Sequence, residues 1–284
     1  MHQPVLLNDM LACLNVSKGK IYLDATFGGG GYSQAILEQG GQVIAIDRDQ
    51  DAIDRAKHLG ISCFHMTFSE LESIFPDTLF DGIVFDFGVS SFQIDEAERG
   101  FSFQKDGPLD MRMGKSTISA KDVVNDLKEK DLADLIFSYG DEPRSRSIAH
   151  AICTHRQQKP FTSTLQLAQV IRSVVPSKPG FDGATLTFQA IRMYVNDELR
   201  EIHHGLTYAM SHLSPLGRLV CVSFHSLEDR LVKNALKASP LTLFNKKVII
   251  PSNAEIHANP RSRSARLRCA CNNLENQHIK KFEK

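Results

Sequence analysis

The chain has 284 residues, enough to bury a full core as one large domain or as a domain carrying an insertion. Apolar residues make up 42% and charged residues 23%, which excludes a disordered chain, and no apolar run is long enough to span a bilayer. Lys plus Arg equals Asp plus Glu at 33 each, so nucleic acid or an anionic membrane would have to be met by a local patch rather than by net charge.

The N-terminal MHQPVLLNDM lacks the basic, apolar and small-residue order of a signal peptide, and a cytoplasmic protein is expected. Six cysteines, at 13, 63, 153, 221, 269 and 271, form no CxxC pair. They read as reduced core thiols, and no metal site is expected.

Ile21, Tyr22 and Leu23 read as the end of a buried strand, Gly28 to Gly31 as backbone that can pass close to a ligand, and Ser33 onward as a helix. A dinucleotide fingerprint needs glycine at the sixth loop position, where this chain has Ser33. Asp24, four residues before the glycines, would repel a pyrophosphate and welcome an ammonium or sulfonium. The loop therefore points to a cationic nucleoside, of which S-adenosylmethionine is the common one.

Strand and helix signals alternate through the first third, as in an α/β parallel sheet with crossover helices. GQVIAIDRD at 41–49 is a second strand, and Asp47 lies where an acid reaches ribose hydroxyls. The other reading is a helix cap by Asp47 or Asp49. ISCFHMTFSEL at 61–71 is a third strand with Ser69 as the following cap, and Phe68 is either an adenine platform or a core aromatic. A fourth strand ends at Asp86, so the ends carrying Asp24, Asp47, Phe68 and Asp86 converge by topology.

RGFSFQKDGPLDMRMG, from Arg99, is too long and mixed for a simple crossover, which marks function. Phe101 and Phe103 read equally as core plugs or stacking platforms, and Asp106 and Asp110 as caps or substrate acceptors. Residues 116–180 are helical in period, with Ser119 a cap and Arg144, Arg146, Arg156 and Lys159 either a phosphate-contacting face or a solvated surface. An apolar stripe from 188 to 213 in steps of three and four predicts one helix over Thr187 to Leu213, about 40 Å long. A fifth strand and helix follow in LGRLVCVSFHSLEDRLVKNAL. Its strand end places His225 near the glycine loop, as a substrate contact or a local helix residue. LTLFNKKVII and SARLRCAC should pair antiparallel, and Arg261, Arg263, Arg266 and Arg268 are candidate RNA backbone contacts.

Taken together HQPVLL at 2–7, DATFGGGGYS at 24–33, DFGVSSFQID at 86–95, RGFSFQKDGPLDMRM at 99–113, FHSLEDR at 224–230 and NPRSRSARLR at 259–268 resemble the RsmH (MraW) methyltransferases of bacterial small-subunit ribosomal RNA. The resemblance implies a class I methyltransferase (Rossmann-like) doubly wound sheet with an inserted helical domain. It implies a methyltransferase domain over 1–112 and 184–284, and an insert over 113–183 for substrate recognition. The implied reaction is S-adenosylmethionine-dependent methylation of N4 of a cytidine in the decoding centre of 16S ribosomal RNA, and the balanced charge fits an assembled or assembling 30S particle better than naked RNA. Carried onto matching positions, the cofactor contacts are Gly30, Gly31, Tyr32, Asp47, Phe68, Asp86 and Gln93, with Asp24 added from the argument above.

Three departures stand out. Tyr32 replaces the histidine of GGHS, and DGATLTFQAIR has Asp182, Gly183 and Leu186 where the family usually has His, Pro and Arg. DFGVSS also lacks the two prolines and aromatic with which amino methyltransferases commonly hold an exocyclic amine. Acceptors for that amine are then sought among Asp86, Asp106, Asp110 and His225. A homodimer stays open. A nicotinamide oxidoreductase is disfavoured by Asp24 and Ser33, and a noncatalytic cofactor-binding ribosome assembly factor by the dense 99–113 loop.

Overall fold

The computed structural model describes residues 4–245 and 247–273. In chain order the elements are α1 (Leu7–Leu14), β1 (Ile21–Asp24), α2 (Gly31–Glu38), β2 (Gln42–Asp47), α3 (Gln50–His58), β3 (Cys63–His65), α4 (Leu71–Ile74) and β4 (Phe80–Asp86). Then come α5 (Ser91–Asp95), α6 (Ala120–Asp126), α7 (Glu129–Gly140), α8 (Ser145–Gln158), α9 (Thr164–Val174), α10 (Thr185–Val195) and α11 (Glu198–Ser211). The chain finishes with β5 (Leu213–Ser223), α12 (Ser226–Ala238), β6 (Thr242–Leu243), α13 (Asn253–Ala258) and β7 (Arg266–Cys271). The chain divides into two compact units, Met1–Gly88 with Leu199–Lys284, and Val89–Glu198.

The first unit is built on a seven-stranded sheet in the order β3-β2-β1-β4-β5-β7-β6. The first five strands in that order pair in parallel, and β7 pairs antiparallel with both β5 and β6. Strand order reverses between β1 and β4, the switch point beside which doubly wound sheets leave a crevice at the strands' carboxyl ends. The two-residue side-chain period sorts the core. Leu23, Ile83, Phe85, Leu219 and Cys221 share one cluster with Ile202 and Leu206 of α11 and Val232 and Leu236 of α12. Tyr22, Val84, Val220 and Val222 share another with Met10 and Leu14 of α1 and Ile36 of α2. Gly82 belongs to this packing, because a Cβ there would meet Leu14 Cδ1 at 2.6 Å. The expected antiparallel pairing at the chain's end is present, with β6 reduced to two residues and Ile249 adding an isolated bridge to Leu267.

The second unit, Val89–Glu198, is wider at both ends than the expected 113–183 insert. The reason is burial: Phe101, Leu109, Met111 and Met113 from the irregular segment share a core with Val123, Leu132, Ile148, Leu167 and Ile191. Ser119 caps α6 as expected, accepting from Asp122 N in a capping box. Arg144 donates to the Val174 carbonyl at the end of α9, and Arg156 donates to Val124 and Leu127 carbonyls at the end of α6. These guanidiniums satisfy helix C-terminal carbonyls, a role that the charge pattern did not separate from a phosphate-binding face.

The long helix expected over Thr187–Leu213 is instead two helices. α10 stops at Val195, Asp197 takes φ 48°, and α11 starts at Glu198. Buried Asn196 accepts from Met113 N at 2.8 Å and donates to the Met111 carbonyl at 2.7 Å, serving the irregular segment rather than a continuous helix.

Candidate functional site

Asp24, Asp47 and Asp86 close β1, β2 and β4, so parallel pairing aligns them along one edge of the sheet. Asp24 is fully buried. Its carboxylate accepts from Ser33 Oγ at 2.6 Å and from Thr26 N at 3.2 Å, which ties the end of β1 to the start of α2. Burial, opposed in part by the Ser33 bond, pushes its pKa up to about 6. Thr26 also works across the switch point, its Oγ1 accepting from Asp86 N at 2.7 Å.

Asp47 holds the glycine turn in place. Its Oδ2 accepts from Gly28 N and its Oδ1 from Asp49 N, each at 2.8 Å, and Arg55 Nε donates to the Gly28 carbonyl at 3.1 Å. Each carboxylate oxygen keeps a second acceptor site. The cap on α3 is Asp49, which accepts from Asp51 N. Gly30 occupies the left-handed region at φ 80° as the residue before α2, a conformation that disfavours any side chain. Gly31 is constrained by space, because a Cβ there would lie 2.1 Å from Pro4 Cγ.

Phe68 follows β3 in a 3-10 turn, half-buried and edge-on to Phe85 with ring centroids 5.2 Å apart. These contacts make it a core aromatic. The cap of that turn is Thr67, in a box with Glu70, rather than Ser69. Gly205 of α11 permits the packing, since its Cβ would approach Phe85 at 2.9 Å and Phe68 at 3.2 Å.

Asp86 is the acid least engaged by hydrogen bonds. Its Oδ1 is buried without a hydrogen-bond partner among the described residues. Burial first, then the neighbouring Asp24 and Glu228 carboxylates, hold its pKa well above the usual range. Glu228 gave no signal beyond helix-dipole complementarity in the sequence, yet it is fully buried. Its Oε2 accepts from Phe224 N at 2.8 Å, and Oε1 lies 2.9 Å from His225 Nε2. His225 caps α12, Nδ1 accepting from Glu228 N at 3.4 Å. It follows the carboxyl end of β5, which β4 separates from β1, the strand that leads to the glycine turn.

The Tyr32 hydroxyl donates to the Val5 carbonyl. Burial, then Asp86, Asp24 and Glu255, keep that phenol above its ordinary pKa, so it stays a neutral donor. Of the four candidate RNA contacts, Arg261 and Arg263 are exposed on a 3-10 turn. Arg266 and Arg268 reach Asp229, at 3.1 and 2.7 Å. Burial of Asp229 works to raise its pKa, and the two guanidiniums outweigh that and lower it.

The remaining predicted residues lie in the second unit. Gln93 is buried in a capping box, its Oε1 accepting from Ser90 N at 2.9 Å. Asp106 accepts from Leu165 N and Gly107 N, both at 3.1 Å, capping α9. Asp110 accepts from Arg112 Nε at 2.9 Å and Nη2 at 2.7 Å, and Arg112 holds its carboxyl below the ordinary range. Phe101 is buried and Phe103 packs on Phe188 at 4.8 Å, so both act as plugs. The departures have local partners: Asp182 accepts from Arg172 Nη2 at 2.8 Å and from Ala184 N at 2.9 Å. Gly183 leaves room for the Val175 carbonyl, which a Cβ would meet at 1.7 Å. Leu186 is half-buried in α10.

Acidic side chains gathered at the carboxyl ends of β1, β2 and β4 suit a positively charged nucleoside. The sequence model of the MraW methylase family matches residues 1–273. The chain belongs to the MraW methylase family. Among its relatives, the ribosomal RNA small subunit methyltransferase H of a Drosophila simulans Wolbachia is 48% identical, covering 94% of this chain and 97% of that one. That of Hyphomonas neptunium is 47% identical, covering 95% and 88%. Among solved structures, the N-methyltransferase NodS from Bradyrhizobium japonicum with S-adenosylhomocysteine aligns at 11% identity and TM-score 0.42, covering 93% and 83%. The chain is a methyltransferase of the class I, Rossmann-like fold, and its cofactor is S-adenosylmethionine. The orphaned Asp86 oxygen and the buried Asp24 fit a cationic cofactor. No helix among the described residues is long and apolar enough to cross a membrane.

Proposed function

We propose that this methyltransferase acts on small-subunit ribosomal RNA, at the N4 amine of a cytidine in the decoding centre, within an assembled or assembling 30S particle. The observation that carries the reading is family membership over nearly the whole chain, with relatives near 47% identity named for the small-subunit ribosomal RNA. The cofactor contacts are Asp24, Gly30, Gly31, Asp47, Phe68, Asp86 and Gln93, with Tyr32 contributing backbone.

When bound, the cofactor supplies an electrophilic methyl group on a sulfonium, and transfer to an amine releases one proton. Asp24, ionised above pH about 6, stabilises that positive charge. Asp47 orients the ribose while holding the glycine turn, and Phe68 offers a face to the adenine. Cytidine N4 is a weak nucleophile because its lone pair is conjugated into the ring, so positioning supplies most of the rate. Asp86 Oδ1, buried without a hydrogen-bond partner among the described residues, accepts from the amine and turns its lone pair toward the methyl. The target base is unpaired or flipped when it reacts. The Val89–Glu198 unit takes part in recognising the substrate, and exposed Arg261 and Arg263 contact phosphates.

The experiment offers labelled S-adenosylmethionine with undermodified small subunits, free ribosomal RNA, protein and DNA. The reading expects label in the RNA of the small subunit, lost in Asp86→Ala by about a hundredfold or more. Label on DNA or protein, or full activity of Asp86→Ala, contradicts it.

A further inference from the structure

The segment before α1 meets the glycine turn at two points. Pro4 lies against Gly31, where even one added carbon would collide at 2.1 Å. The Val5 carbonyl accepts from the Tyr32 hydroxyl. The next residue is anchored from the other side, Leu6 N donating to Glu255 Oε1 of α13 at 2.7 Å. Leu6 takes φ 51°, a left-handed backbone that a leucine adopts only when its surroundings impose it. Val5, Leu6 and Tyr32 are buried in one cluster. Residues 4–6 are thus a strap, pinned at both sides, whose inner face touches the backbone that begins α2.

We propose that Tyr32 is a positioning residue of the cofactor site, its hydroxyl pinning residues 4–6 against Gly31 and so holding the Gly30–Gly31 turn in its cofactor-binding form. Tyr32 acts through the Val5 carbonyl, with its ring turned into the core. The substitution of tyrosine in GGYS therefore supplies a tie to the strap. The assignment rests on S-adenosylmethionine occupying the glycine turn. It adds that affinity at this turn depends on a segment that need not touch the cofactor. The physical cost avoided is ordering: a turn already held spends less binding energy on being fixed.

The test compares the full-length protein with Tyr32→Phe, which keeps the ring and deletes only the donor. S-adenosylhomocysteine is the probe, with its dissociation rate and hydrogen exchange at Leu6 and Met10 read together. The Met10 amide reports on the segment because it donates to the Leu6 carbonyl at 2.8 Å. The expected result is dissociation about three- to tenfold faster, with faster exchange at Leu6 and Met10 and slow exchange retained in β4. Glu255→Ala, which leaves Tyr32 intact and frees the other anchor, should show the same coupled change, and stands in should Tyr32→Phe not fold. Faster dissociation with unchanged exchange would mean the Tyr32 hydroxyl touches the cofactor itself. Faster exchange with unchanged dissociation would mean the strap does not hold the turn. Either overturns the proposal. Asp47→Ala tests the underlying placement separately: it should lose affinity while Leu6 and Met10 stay protected, and unchanged affinity removes the premise.

Discussion

Asp24 ties the end of β1 to the start of α2, and the proposed site gives the same side chain the cofactor's positive charge to face. Its pKa, raised to about 6 by burial, sets two signs. In the free protein the folded state binds a proton that the unfolded chain has released, so Asp24 adds stability at low pH, and that contribution is lost as pH rises through about 6. A cationic cofactor favours the ionised form, so binding near pH 6 should release a proton. The affinity for S-adenosylmethionine should then rise with pH below that value, by up to about tenfold per pH unit. Calorimetry in buffers of different ionisation enthalpy measures the proton count. Asp24→Asn should bind more weakly and with a flatter pH dependence, and an unaltered proton release in that variant would remove Asp24 from the role. The sequence made Asp24 legible through its distance from the glycines. It could not show Glu228, whose place in a helix's first turn reads as ordinary dipole complementarity until burial is seen.

At the scale of elements, the strands of the doubly wound half were readable because each is a short apolar run ending in an acid or aromatic. The long helix was misread because apolar spacing stays in phase from 188 to 213, across a break made by Asn196 and Asp197. Periodicity reports which face is buried and says little about backbone continuity. Asn–Asp was the available signal, since both residues tolerate the left-handed region and bond locally. Asn196→Ala should destabilise the second unit by about 3 kcal/mol, because the Met113 amide and the Met111 carbonyl lose buried partners. Denaturant unfolding of the full chain checks this, and a loss below about 0.5 kcal/mol would show that these bonds are replaced. Similarly, Gly205→Ala should displace Phe68 and weaken cofactor binding by a fewfold while α11 stays helical, a change readable by cofactor titration.

For the whole molecule, alternating strand and helix patterns made a parallel sheet with crossover helices legible, while the order β3-β2-β1-β4-β5-β7-β6 comes from the structure. The division into units was less legible. Residues 99–113 carry no helical period, so their burial among the α6–α10 helices shows only in three dimensions. Charge gave a partial answer: half of the arginines in NPRSRSARLR are engaged by Asp229, which basic spacing does not reveal. The balanced charge of the chain supplies no net attraction to bare RNA, so any RNA contact is made by a local patch. The central claim is methyl transfer to a cytidine amine, and identifying the product nucleoside tests it most directly. Small subunits lacking the modification, treated with enzyme and isotopically labelled S-adenosylmethionine, are digested and resolved by mass spectrometry. The account predicts one labelled nucleoside, N4-methylcytidine or its further methylated form, from a decoding-centre fragment. Label on a cytosine ring carbon, or on another base, would contradict it.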